Sequence, residues 1–191
     1  MNELIQFDHF LFHLLNEEWT NSFFDWIMPY WRDKLTWIPL YLFATIFLMY
    51  TFRKQGIYII LGVLLSFGVA DTISHKVIKQ TVQRARPCHD NSPLESNRLL
   101  LDSCGPGYSF TSNHATNHFA IAVFIILVLG RFYPRLKYFM LFWAASIAYG
   151  QVYVGVHFPL DVLCGGLIGT LIGLIIARIF NHFITLRLNI A

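Results

Sequence analysis

The stretch LDVLCGGLIGTLIGLIIARIF, residues 160–180, decides the fold. Apart from Asp161 at its start and Arg178 near its end it is apolar or small throughout. A membrane-spanning helix needs about 20 such residues, and this stretch reads as one. Working back along the chain, four more stretches read the same way: 35–52, 57–82, 115–129 and 136–154. The composition agrees, with 55% hydrophobic, 17% aromatic and only 13% charged residues in 191. The mean hydropathy is +0.51. A water-soluble domain of this length carries more charge. The expected fold is all-α, a polytopic membrane helical bundle of about five spans, with a sixth short element as the alternative.

Residues 1–34 are predicted to lie at the bilayer surface. Leu4, Phe7, Leu11, Leu14 and Leu15 recur at helical spacing, but Glu3, Asp8, His9 and His13 interrupt the apolar face. That pattern suits an interfacial amphipathic helix. Residues 19–34 are rich in tryptophan, which favours the head-group level. Residues 1–16 lack the basic start of a cleavable signal peptide. The chain thus reads as one membrane-embedded domain over 1–191. It comprises an interfacial segment 1–34, a transmembrane core 35–182 and an outer-face loop 87–113.

The formal net charge is +3, and its distribution speaks for topology rather than nucleic acid. Arg53 and Lys54, then Arg131, Arg135 and Lys137, then Arg178 and Arg187 fall on one side of five alternating spans. The positive-inside rule makes that side cytoplasmic. The loop 86–113 and the turn 155–159 are then outside. Cys88 and Cys104 share that loop and could form a disulfide in an oxidising compartment, two free thiols being the alternative. Cys164 lies within a span.

Three groups of chemically capable residues fall on the outer side. The first is KQTVQRARP, 79–87. Helical spacing places Asp71, His75, Lys79 and Arg86 on one stripe, with Asp71 about 12 Å deeper than Lys79. Ionisable residues at such depth point to function, and Lys and Arg suit a tetrahedral phosphate. Anchoring to lipid phosphates is the simpler alternative. The second group is FTSNHATNH, 110–118. Ser112 and Asn113 are good N-cap residues, a helix start binds anions, and His114 stands in its first turn. His118, one turn on, fits packing better than catalysis. The third is GQVYVGVHFPLD, 150–161. A carboxylate four residues after His157, Asp161, can hold one ring nitrogen and leave the other free as a nucleophile.

In this order and on one face, the three groups resemble the phosphatidic acid phosphatase type 2 family, which shares its site with vanadium haloperoxidases. The family pattern is K-x6-R-P, then P-S-G-H, then S-R-x5-H-x3-D. Lys79, Arg86 and Pro87 match the first part. Ser112 and His114 match the second, with Thr111 and Asn113 in place of Pro and Gly. His157 and Asp161 match the third, with Gly150 and Gln151 in place of Ser and Arg.

The resemblance implies a membrane phosphatase that needs no metal or other cofactor. His157 would attack phosphorus, Asp161 would orient it, and His114 would protonate the leaving oxygen and then activate water. Lys79, Arg86, Ser112, Asn113 and Gln151 would hold the phosphate, with Asp71, His75, His118 and Arg84 in support. Arg84 or His118 would replace the charge missing at Gln151. The implied substrate is a lipid phosphate, with a polyprenyl diphosphate such as undecaprenyl diphosphate favoured. Lipid A phosphate, phosphatidylglycerol phosphate and phosphatidic acid are the other candidates. The expected setting is a bacterial inner membrane with the site facing the periplasm or exterior, the bilayer as partner, and no nucleic acid. The sequence does not fix the oligomeric state. Two other readings stand beside this one. Gln151 would suit a lipid-phosphate binder or transporter, and His114, His118, His157 and Asp161 would suit a metal site.

Overall fold

The computed structural model describes residues 2–89 and 97–186, which are helical with no strand among them. The elements are α1 (Asn2–His13), α2 (Ser22–Trp31), α3 (Ile38–Phe52), α4 (Lys54–Thr72), α5 (Lys79–Val82), α6 (Asn113–Leu129), α7 (Leu136–Tyr153) and α8 (Pro159–Phe183). The stretches Lys34–Phe52, Lys54–His89 and Pro159–Phe183 are long and apolar enough to cross a membrane. Asn113–Leu129 is apolar but shorter. Leu42, Phe43, Ile46, Tyr50, Leu64, Phe142, Leu167 and Leu171 are exposed, which in lipid leaves them in their preferred solvent.

The centre of the bundle is the pair α6 and α8. A Cβ on Gly169 would stand 2.2 Å from the carbonyl oxygen of Thr116, and one on Gly173 2.4 Å from that of Ala120. Only glycine lets the two backbones approach this closely, and four-residue spacing repeats the contact on one face. Around it Phe52, Ile59, Phe124, Val128, Ile176 and Phe180 form the buried core. The contact also sets the site, because α6 begins with the His114 turn and α8 with Asp161. Gly169→Val is therefore expected to lose stability, by about 2 kcal/mol as typical overpacking does. That loss reads as a fall of several degrees in the thermal midpoint in detergent. An unchanged midpoint would mean that the helices pack elsewhere.

The predicted stripe from Asp71 to Arg86 is not one continuous α-helix. The chain widens to a π-turn over Ile73–Ile78, resumes for one turn, and ends at Gln83, whose φ of 53° is left-handed. A π-turn adds a residue per turn and rotates everything after it. Arg86 thus lies beyond the helix, in the irregular segment that follows Gln83.

The N-terminal region is more than a surface float. α1 presents Leu4, Phe7 and Phe10 outward but buries Asp8 and Phe12. The charge at Asp8, predicted to interrupt an apolar face, faces inward because Arg84 meets it at 2.6 Å. Asn16 is fully buried, its amide donating to the Tyr153 oxygen at 2.8 Å and the Arg98 oxygen at 3.0 Å. Arg98 and the Tyr153 hydroxyl both donate to Asp25 at 2.6 Å. These bonds tie α1, α2 and the loop from 97 onward to the end of α7. Gly155 completes the joint: its φ is 87°, and a Cβ there would lie 2.6 Å from the Arg98 oxygen.

Candidate active site

The predicted chemistry gathers at one end of the bundle, opposite the basic turn at Arg53 and Lys54 and the turn 130–135. His157 occupies the turn between α7 and α8 and is 3% exposed. Its Nδ1 lies 3.5 Å from Asp161 Oδ2 and 3.3 Å from Ser109 Oγ. With Nδ1 engaged, Nε2 is left as the free ring nitrogen. Burial pushes the imidazole down to about 4, against the pull of the Asp161 carboxylate. The ring is therefore neutral near pH 7, the form in which an imidazole can act as a nucleophile.

Asp161 is held on every side. Its Oδ2 accepts from the Phe158 amide at 2.9 Å and from the Ser109 hydroxyl, and its Oδ1 accepts from Arg84 at 2.9 Å. Arg84 reaches on to Asp8 Oδ2 at 2.6 Å and lies over the Phe158 ring at 4.1 Å. Asp8 Oδ1 in turn accepts from the Leu160 amide at 2.8 Å. A buried chain Asp8–Arg84–Asp161 therefore fixes the carboxylate that fixes His157. Arg84, expected as a substitute phosphate ligand, stands behind the site instead, bound to two carboxylates and absent from the cavity lining.

In front of His157 opens a cavity of about 350 Å³, lined by Arg32, Lys79, Arg86, Asn113, His114, Gln151 and His157 among others. Lys79 is nearly buried, its Nζ donating to the Tyr108 oxygen at 2.6 Å and the Ser109 oxygen at 3.1 Å. Arg86 Nε donates to the Gly107 oxygen at 3.2 Å and Nη1 to the Val156 oxygen at 3.4 Å. The loop 103–109 thus aims both cations by its carbonyls. Cys88 and Cys104 are joined by a disulfide, with their Cα atoms 5.8 Å apart, and this clips the same loop to the chain just after Arg86.

Ser112 caps α6, its Oγ accepting from the Ala115 amide at 3.4 Å and its own amide donating to the Asp161 oxygen at 3.1 Å. This bond registers the start of α6 against α8. The first-turn amides of α6 have no partner within the helix and carry its positive end. Asn113 sits in the cavity wall, its amide bonded to Asp71 Oδ1 at 3.1 Å and its oxygen to Ser74 at 2.9 Å. Asp71 also accepts from Asn117 at 3.0 Å. It holds the α6 start and does not line the cavity, whereas His75 does.

His118, the second expected source of charge, turns away. Its Nδ1 lies 2.7 Å from the His114 oxygen, and its ring packs on Trp143 with centroids 4.7 Å apart. Among the described residues no three His, Cys, Asp or Glu side chains converge as metal ligands would. The ligand set of His114, His118, His157 and Asp161 is therefore not assembled.

Four residues of the site were not singled out from the sequence. Ser109 precedes the second motif, and nothing local marks it. Asp8 and Arg32 lie far upstream, in a region whose charges read as surface features. Tyr108 enters through its backbone alone.

This arrangement, a histidine backed by a carboxylate and facing cations and a second histidine, can be compared with known proteins. The sequence model of the PAP2 superfamily matches residues 55–184. The chain belongs to the PAP2 superfamily. A lipid A 4'-phosphatase of Bacteroides thetaiotaomicron is 29% identical, over 88% of this chain and 75% of that protein. An undecaprenyl-diphosphatase of Sulfolobus acidocaldarius is 30% identical, over 92% of this chain and 79% of that protein. The crystal structure of a transmembrane PAP2-type phosphatidylglycerolphosphate phosphatase from Bacillus subtilis superposes with a TM-score of 0.71. It is 23% identical and covers 97% of this chain and 89% of that one. This PAP2 protein is accordingly a membrane lipid phosphatase, a phosphoric ester hydrolase with the fold of its transmembrane relatives. The PAP2 match starts at residue 55, so Asp8 and Arg32 come from outside it.

Proposed function

We propose that the protein hydrolyses the phosphate of a glycolipid of the lipid A class through a phosphohistidine at His157. The observation that carries the reaction is the geometry of His157, with Nδ1 held by Asp161 and the ring open to a cavity bearing Lys79, Arg86 and Arg32. The Nε2 lone pair forms a bond to phosphorus while the bond from phosphorus to the lipid oxygen breaks. His114 gives its proton to that oxygen. A water then loses a proton to His114 and attacks the phosphoryl group, which releases inorganic phosphate and restores His157. The cations and the α6 amides hold the equatorial oxygens as charge builds, which is commonly the largest catalytic contribution.

Lipid A phosphate is favoured by the relative from Bacteroides thetaiotaomicron. The rest of the cavity wall also supports it, because Gln80 and Ser103 can meet the hydroxyls of a sugar. A polyprenyl diphosphate offers no such groups, so lipid A phosphate replaces it as the favoured substrate. The Sulfolobus acidocaldarius relative supports undecaprenyl diphosphate as the second reading. The site opens at the end of the bundle away from the basic turns, and the positive-inside rule supports an outer-face reading of it.

The test is phosphate release by the purified protein in detergent, with and without EDTA. The panel is lipid A phosphates, undecaprenyl diphosphate, phosphatidylglycerol phosphate and phosphatidic acid. Release from lipid A at the highest kcat/KM, unchanged by EDTA, is the expected result. A higher value for undecaprenyl diphosphate would install the second reading, and release from none would leave a binder.

A further inference from the structure

The family pattern has an arginine where this chain has Gln151, and the structure brings a guanidinium to that place by another route. Arg32 follows the last residue of α2. Its Nε donates to Gln151 Oε1 at 3.1 Å, and both residues line the cavity beside Lys79, Arg86, His114 and His157. α2 is held against α7 by Trp31, whose indole donates to Ser146 at 2.9 Å, and Trp37 donates to the Trp31 oxygen at 2.8 Å. The arginine is therefore carried on a fixed support.

The chemistry of the pair orients the amide. A guanidinium has donors only, so the Gln151 atom facing it is the oxygen. Nε2 then points the other way. It is buried and finds no hydrogen-bond partner among the described residues, in a side chain that is itself 0% exposed. Buried amide donors are nearly always bonded. One left without a partner in a residue that lines a cationic cavity suits an oxygen acceptor of the ligand. The Arg32 bond uses Nε and leaves its paired Nη groups, which fit two phosphate oxygens.

We propose that Arg32 is the third phosphate-binding cation of the site, positioned by Gln151 and delivered by the N-terminal helix α2 instead of by α7. The inference rests on the reading of the cavity as the phosphatase site. It makes residues upstream of 55 part of the catalytic apparatus. Gln151 changes from a lost charge into a positioning residue that also donates to the phosphate.

The test uses the full chain in detergent with lipid A phosphate as substrate and orthovanadate as a phosphate mimic. Arg32→Ala is expected to lower kcat/KM about 100-fold or more, as loss of one preorganised donor does, and to weaken orthovanadate inhibition. Arg32→Lys is expected to fall between it and the wild type. Adding Gln151→Arg to Arg32→Ala returns a guanidinium to the family's position and is expected to recover at least about tenfold of the loss. A support that is structural alone would show no recovery and no change in orthovanadate inhibition, and that result would overturn the inference. So would Arg32→Ala within threefold of the wild type. If Arg32→Ala does not fold, Arg32→Lys and Arg32→Gln carry the same comparison through orthovanadate inhibition. A wild type that releases no phosphate from any lipid sinks the underlying reading. An active wild type with an unimpaired Arg32→Ala sinks this inference alone.

Discussion

Replacing His157 by alanine is expected to abolish phosphate release, lowering kcat/KM by at least about 10⁴-fold, the scale on which loss of a nucleophile acts. The fold is expected to survive. His157 contributes contacts to Asp161 and Ser109, and without it Asp161 keeps Arg84, the Phe158 amide and the Ser109 hydroxyl. The void left by the ring adjoins a cavity that is already open. Phosphate release and the thermal midpoint, measured together on the same preparation, check both halves. Residual activity within tenfold of the wild type would remove His157 from the nucleophile's role.

Arg84→Ala should be the most destabilising single change at the site. The guanidinium bridges two carboxylates, Asp8 and Asp161, whose side chains are 0% exposed while its own is 21% exposed. Deleting one partner of a buried ion pair leaves uncompensated charge, at about 3–5 kcal/mol. In a chain of this size that corresponds to a fall of roughly 10 °C in the thermal midpoint. Activity should fall as well, because Asp161 loses the partner on its Oδ1 and His157 loses a fixed neighbour. Asp8→Asn is the control. It removes one charge of the pair, leaves Arg84 on Asp161, and should cost clearly less. Equal midpoints for the two variants would show that the bridge holds nothing in place.

Much of the site was legible in the sequence, for reasons particular residues make clear. His157 and Asp161 are one helical turn apart, so local spacing alone brings them together. Ser112 and His114 follow from the same short-range logic at the start of α6, and Lys79 is marked by an unusual charge at the end of a long apolar run. Arg84 was misread because its two carboxylates lie 76 and 77 residues away in the chain. Asp71 supports the α6 start through Asn113 and Asn117, while the π-turn at Ile73–Ile78 takes Arg86 off the stripe that regular helical spacing predicts. His118 shares a helix face with His114, yet Trp143 and a backbone carbonyl claim its ring.

The N-terminal region was the least legible part. Its charges and aromatic residues carry the same signature whether they float at the head groups or close an active site. What separates the two is tertiary pairing, of Asp8 with Arg84, Asp25 with Arg98 and Arg32 with Gln151. No periodicity encodes such pairs. Gly169 and Gly173 of α8 meet the α6 backbone at four-residue spacing, a pattern of small side chains with one dominant use in membrane helices.

The central claim is a covalent phosphohistidine at His157. The most direct test is a rapid acid-free quench of the protein turning over ³²P-labelled lipid A phosphate in EDTA, followed by peptide mapping. His157→Ala should be run in parallel as the unlabelled control. The account predicts label on the peptide containing His157, bonded to nitrogen and therefore lost in acid but stable in base, and none in His157→Ala. Turnover without label on His157, or label on another residue, would contradict it.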